Sequence, residues 1–178
     1  ISTALKDAGY SVAATYAGND EKAAAFTAET GIKTYKWDVS DFDACGDAVN
    51  MIAEKHDTPT IVINNAGIVS PPGQPFVENS EEDWDRTFAV NVKGIRNLAA
   101  AAYDDLIAND EGRIVNVTSI TGVIAAPFMP PYSVSKSAAN GLTRVLARQF
   151  APHGVTVNAV CPGFVWSPLW EELGVVMA

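Results

Sequence analysis

Thr60-Ile61-Val62-Ile63-Asn64-Asn65-Ala66-Gly67 is a compact apolar run that stops abruptly in two amides and two small residues. A short apolar run bounded by turn signals reads as a buried strand. The small residues after it let a ligand approach the backbone, and the amides can bond that ligand. Asn64 and Asn65 also suit an ordinary turn. The segments on either side decide what kind of sheet this strand joins.

Upstream, residues 2–8 read as the last turns of a helix, with Gly9 where a C-terminal cap is expected. A strand over 11–16, a turn at Gly18-Asn19 and an alanine-rich helix over 20–29 follow, and Gly31 stops that helix. A second strand over 32–37 leads to Ser40-Asp41-Phe42-Asp43. This is a capping-box-like start, with the Ser40 hydroxyl facing a free backbone N–H, and its helix runs to about residue 55.

Downstream, the proline-rich stretch 68–79 must be a loop. Ser80-Glu81-Glu82-Asp83 then opens a long helix whose Trp84, Phe88, Val92, Ile95, Ala99, Ala102 and Leu106 recur every three or four residues as one continuous buried stripe. A strand over 113–117 runs out into Thr118-Ser119-Ile120-Thr121-Gly122. A proline-containing loop over 127–131 delivers the chain to a helix from Tyr132 to about residue 150. The last strand, over 155–160, ends in Cys161-Pro162-Gly163. Strands alternating with helices predict βαβ units, hence a mostly parallel sheet covered on both faces. The chain reads as a single domain over 1–178, without repeats or linkers.

The bulk numbers agree. At 178 residues, with 48% hydrophobic and 19% charged residues, the chain can bury a substantial core. A formal charge of −9 argues against nucleic acid or an anionic membrane as the main partner. No window reaches the roughly 18 apolar residues of a membrane span, and no signal-peptide pattern opens the chain. Cys45 and Cys161 are far apart and lack metal-site spacing, so no metal is expected and reduced thiols in a cytoplasmic protein are the default.

In an open parallel sheet, ligands bind beyond the carboxyl ends of the strands. Those ends are Tyr16 to Asn19, Asp38-Val39, Asn64 to Gly67, Thr118-Ser119 and Pro162-Gly163. Tyr132-Ser133-Val134-Ser135-Lys136 adds a phenol and an ammonium four residues apart, on one helix face and about 5–6 Å apart at Cβ. A nearby cation favours the phenolate, so Tyr132 is expected to lose its proton more readily than the usual value of about 10 allows. The same spacing also fits a merely solvated pair.

Taken together, Asn64-Asn65-Ala66-Gly67, Asn91 in the long helix, Ser119, Tyr132-x-x-x-Lys136 and Pro162-Gly163 resemble, in order, the motifs of the classical short-chain dehydrogenase/reductases. The thirteen-residue step from Ser119 to Tyr132 matches as well. The resemblance implies a Rossmann-type, doubly wound α/β fold, a nicotinamide cofactor and carbonyl/alcohol redox chemistry. It makes Tyr132 the acid/base, Lys136 its electrostatic partner and the holder of the nicotinamide ribose, and Ser119 the donor to the carbonyl oxygen. Asn91 would order a water leading to Lys136. Asn65, Ala66 and Gly67 would face the cofactor, Asp38 and Val39 would flank the adenine, and Pro162, Gly163, Val165 and Ser167 would meet the nicotinamide end. Ser167 replaces the family's usual threonine.

Family members that use NAD commonly carry an acid where Tyr16 stands. Lacking that acid, the site is expected to accept a 2′-phosphate, with Asn19 or Lys22 in reach, so NADP(H) is favoured and NAD(H) is possible. Residues 13–22 and 35–40 look like the acetoacetyl-CoA reductase branch, whereas the loop over 127–131 looks more like that of sugar or alcohol dehydrogenases. A 3-oxoacyl thioester is therefore the first expected substrate and a polyol or secondary alcohol the second. A non-catalytic binding or assembly module is the other class. The family's first strand, its Gly-x-x-x-Gly-x-Gly turn and its C-terminal lobe have no counterpart in these residues, which predicts an incomplete, truncated domain. Self-association as a dimer or tetramer, through the long helices from Ser80 and from Tyr132, is also implied.

Overall fold

The computed structural model describes residues 1–70, 72–163 and 165. After a short helix α1 (Ser2–Asp7), strands β1 (Ala13–Tyr16) and β2 (Lys33–Lys36) pair in parallel around helix α2 (Asp20–Thr30), in the register Ala13↔Lys33 to Tyr16↔Lys36. Helix α3 (Phe42–His56) leads to β3 (Ile61–Asn64), which pairs in parallel with β4 (Arg113–Val117). The connection between them is helical: α4 (Glu81–Phe88), a π-helical turn (Ala89–Lys93), α5 (Gly94–Ala101) and α6 (Tyr103–Ile107). Helix α7 (Pro130–Phe150) then carries the chain from β4 to its other parallel neighbour, β5 (Thr156–Val160). Every crossover is a helix, as parallel pairing requires. The result is the expected α/β, Rossmann-type arrangement.

Among the described residues the strands form a pair, β1-β2, and a trio, β3-β4-β5, with no ladder between β1 and β3. Helix α5 ties the two parts together. Asn97 Nδ2 on α5 donates to the carbonyl of Val39, just beyond β2, at 2.9 Å. A Cβ on Gly94 would lie 2.8 Å from Val39 Cγ2, so only glycine permits this approach. The core gathers Val49 from α3, Ile95, Ala99, Ala102 and Leu106 from the long connection, Ile114 from β4, Ala139, Leu146 and Phe150 from α7, and Val155 and Val157 around β5.

Three local expectations change. The N-cap of α3 is Asp41, which accepts from Ala44 N at 3.0 Å, while the Ser40 hydroxyl donates to Asp38 Oδ1 at 2.7 Å. A carboxylate one residue on is the better acceptor, and it displaces the hydroxyl from the cap. The helix from Ser80 is not continuous. Its capping box forms as expected, but the π turn at Ala89–Lys93 and a break at Ala102 divide it. The stripe survives as a gradient, half-buried at Trp84, Phe88 and Val92 and fully buried from Ile95 to Leu106. Finally, several strands are one or two residues shorter than their apolar runs.

Candidate active site

The site gathers at the carboxyl ends of β3 and β4. At β3 the amides divide their labour. Asn64 is 5% exposed, and its Nδ2 donates to Asn116 Oδ1 on β4 at 2.8 Å. Asn116 Nδ2 in turn donates to Thr143 Oγ1 on α7 at 2.9 Å, and Thr143 donates to the Ala139 carbonyl at 2.8 Å. This buried chain fixes the angle between the sheet and α7. Asn65, Ala66 and Gly67 are exposed beyond it, which leaves their backbone open to a ligand.

Asn91 reaches the same place because the π turn carries it there. Its amide clamps the Ile68 backbone, accepting from Ile68 N and donating to Ile68 O, both at 2.9 Å, and it also donates to Ser135 Oγ on α7 at 3.0 Å. A π turn inserted in an α-helix is a recurrent mark of a functional position. Gly67 sits against the result, since a Cβ there would be 3.4 Å from both Asn91 Oδ1 and Lys136 Nζ. Three of the motifs thus converge within one small volume.

At the end of β4, Ser119 caps a short 3-10 turn (Ile120–Gly122). Its Oγ accepts from Thr121 N at 3.1 Å and from Thr121 Oγ1 at 3.0 Å. The turn is pressed onto α7 at Gly122, where a Cβ would meet the Lys136 carbonyl carbon at 2.7 Å. Ile120 N also donates to Pro162 O at 2.9 Å, which holds the segment after β5 alongside Ser119.

Lys136 is 5% exposed, and its ammonium donates to Val117 O at 3.0 Å and lies 5.6 Å from the centre of the Tyr132 ring. Burial pushes the Lys136 pKa down to about 8. Burial likewise pushes Tyr132 up from the ordinary tyrosine value, and the neighbouring Ser119 hydroxyl pulls it part of the way back. The sequence expectation of a lowered Tyr132 therefore does not hold in the free protein. Desolvation disfavours both charged forms and is the largest cause of each shift.

The outer strand ends place the other expected contacts. Tyr16 is half-buried beside Asp20. Both carboxylate oxygens of Asp20 are engaged by Lys36, at 2.9 and 3.0 Å. Asn19 is spent as the cap of α2, accepting from Lys22 N at 2.8 Å. Lys36 is thus a basic group beside Tyr16 that sequence reasoning passed over. Its signal was the parallel register, which sets Lys36 opposite Tyr16. Asp38 is exposed and accepts from Ser40 N and Oγ, whereas Val39 is buried under α5. Pro162 is half-buried, Gly163 and Val165 are exposed, and Ser167 lies outside the described residues. A groove of about 380 Å³ lined by Asn140, Arg144, Val157 and Cys161 contains none of the catalytic candidates, so the site is defined by its chemistry.

The residues fit a nicotinamide dinucleotide. The exposed Asn65-Ala66-Gly67 backbone adjoins a lysine and a serine–tyrosine pair, as such a ligand needs. Comparison with known proteins points the same way. The sequence matches the short chain dehydrogenase family over residues 1–175. It is 42% identical to the acetoacetyl-CoA reductase of Paracoccus denitrificans, a match covering 93% of this chain and 67% of the relative. It is 32% identical to a 3-oxoacyl-(acyl-carrier-protein) reductase of Staphylococcus aureus, covering 97% and 72%. Among solved structures, an NAD+-bound xylitol dehydrogenase superposes with a TM-score of 0.88 at 29% identity, covering 97% of this chain and 68% of that one.

Proposed function

The chain belongs to the short-chain dehydrogenase family, a family of oxidoreductases, and on that premise we propose that it interconverts a ketone and a secondary alcohol, with a 3-oxoacyl thioester of the acetoacetyl-CoA kind as its ketone. The observation that carries this is that Gly67 lies against Asn91 and Lys136, while Lys136 and Ser119 lie beside Tyr132. A scaffold without chemistry has no use for a lysine held at 5% exposure, so the non-catalytic reading is set aside.

When bound, a reduced nicotinamide supplies a hydride to the carbonyl carbon. The chain's own residues handle the oxygen. Ser119 donates a hydrogen bond to it as negative charge develops, and Tyr132 transfers a proton to it, so the ketone leaves as an alcohol. With its pKa raised, Tyr132 is fully protonated near neutral pH, which suits the reductive direction. Lys136 balances the phenolate left behind, and its proton makes good the loss. Asn91, through Ile68 and Ser135, holds the β3 end against α7 while this happens.

NADPH is the favoured reductant in this reading, with Lys36 rather than Asn19 or Lys22 as the group that meets a 2′-phosphate. Lys36 neutralises Asp20, the acid that would otherwise repel that phosphate. A polyol or secondary alcohol oxidised with NAD is the second reading, favoured by the xylitol dehydrogenase superposition. Rates with acetoacetyl-CoA and with xylitol, each with both cofactors, separate the two. Acetoacetyl-CoA with NADPH is expected to be fastest, and Lys36→Glu to reverse the cofactor preference. Faster turnover of xylitol with NAD+ would establish the second reading instead. Self-association through α4–α5 and α7 completes the proposal.

A further inference from the structure

The Ser119 oxygen is saturated as an acceptor. A hydroxyl has one proton to give and two acceptor positions. Both positions are taken by one residue, Thr121, through its backbone N–H at 3.1 Å and its hydroxyl at 3.0 Å. Ser119 and Thr121 are 8% and 9% exposed, so water competes poorly for either oxygen. The backbone bond belongs to the turn and any residue could make it. The hydroxyl bond needs threonine or serine.

We propose that Thr121 is a positioning residue that commits the Ser119 hydroxyl to donating, by filling the acceptor position with which Ser119 would otherwise accept a hydrogen bond from Tyr132 or from a ligand. The order of protons is then fixed: Thr121 O–H to Ser119 O, and Ser119 O–H toward the Tyr132 phenol or a carbonyl oxygen between them. Tyr132 keeps its own proton for transfer. No bond is made or broken at Thr121. Its hydroxyl polarises Ser119, and such chains strengthen one another. Burial raises the Tyr132 pKa on balance, and the Ser119 hydroxyl offsets part of that rise, since a donor from Ser119 favours the phenolate. Among the described residues, Lys136 on the same helix is the charged group near Tyr132, and the β4 turn brings Ser119, which does not titrate, beside it.

This deepens the ketoreductase reading and rests on it for its catalytic consequence, but one arm of its test does not depend on turnover. Tyrosinate absorbance is titrated in the wild type, Thr121→Val, Thr121→Ala and Thr121→Ser, each against its own Tyr132→Phe background to isolate Tyr132. The expected result is a midpoint at higher pH in the valine and alanine variants and a return to the wild-type midpoint with serine. In the second arm, kcat for acetoacetyl-CoA reduction by NADPH falls about 5–10-fold in the variants lacking the hydroxyl, the loss of one hydrogen bond, with KM nearly unchanged. One midpoint shared by all four proteins overturns the proposal, even where the wild type turns over normally. A midpoint that moves as described in a protein that reduces no ketone sustains the proposal and overturns the ketoreductase reading instead.

Discussion

Tyr132 and Lys136 show what a residue spacing does and does not specify. The four-residue step places both groups on one face of α7, and the structure has them there, with the ammonium 5.6 Å from the ring centre. Their protonation was not legible, because it depends on burial, which is supplied by β4 and the residues near Gly67 rather than by α7 itself. Lys136 carries a cost as a result. With its folded pKa near 8 and its unfolded value at the ordinary 10.5, the unfolded chain binds the extra proton between those pH values. Stability from this group therefore rises as pH climbs through that window, and the full penalty applies below it. Lys136→Met is expected to stabilise the protein at pH 7 by about 1–2 kcal/mol, once the lost bond to Val117 O is set against a desolvation cost of about 3 kcal/mol. Urea unfolding at pH 7 and near pH 10 checks this, since the gain should shrink at the higher pH. A destabilised variant at pH 7 would remove the claim that Lys136 is strained by burial.

At the scale of elements, the alternation of strand and helix and the starts of α2 and α4 could be read directly, since caps and periodicity are local. What escaped was set by contacts between elements. The π turn at Ala89–Lys93 leaves no mark in the apolar stripe, yet it aims Asn91 at Ile68 and Ser135. The sequence alone leaves Asn64, like its neighbour Asn65, open between a ligand contact and an ordinary turn residue. Strand alternation turns it inward instead, to start the buried chain through Asn116 and Thr143. Gly122 is the clearest case of a local residue with a distant reason. It lets the Ser119 turn lie directly on the α7 backbone at Lys136. Gly122→Ala is expected to destabilise the fold by about 1–3 kcal/mol through overpacking. It should also lower kcat more than it raises KM, because Ser119 would move relative to Tyr132. Unchanged unfolding midpoint and unchanged kcat together would show that the turn yields without cost.

For the whole molecule, charge and composition bounded the partners, and the order of strand-end motifs led to the family before any geometry was known. The pairing of β1 with β2 and of β4 with both β3 and β5, bridged by α5 through Asn97 and Gly94, holds the strand ends in place. Among the described residues no helix is long and apolar enough to cross a membrane. Helix α7 leaves Val134 and Val145 exposed three turns apart, on a face suited to close contact with another copy. Sedimentation at micromolar concentration is expected to give a dimer or tetramer, and a monomer would withdraw the self-association reading. The central claim is that Tyr132 is the proton donor of a ketone-reducing site. Acetoacetyl-CoA-dependent NADPH oxidation by the wild type and by Tyr132→Phe tests it most directly, with circular dichroism confirming that both are folded. The expected result is a loss of at least about a hundredfold in kcat in the phenylalanine variant. Turnover at the wild-type rate by a folded Tyr132→Phe protein would contradict the account.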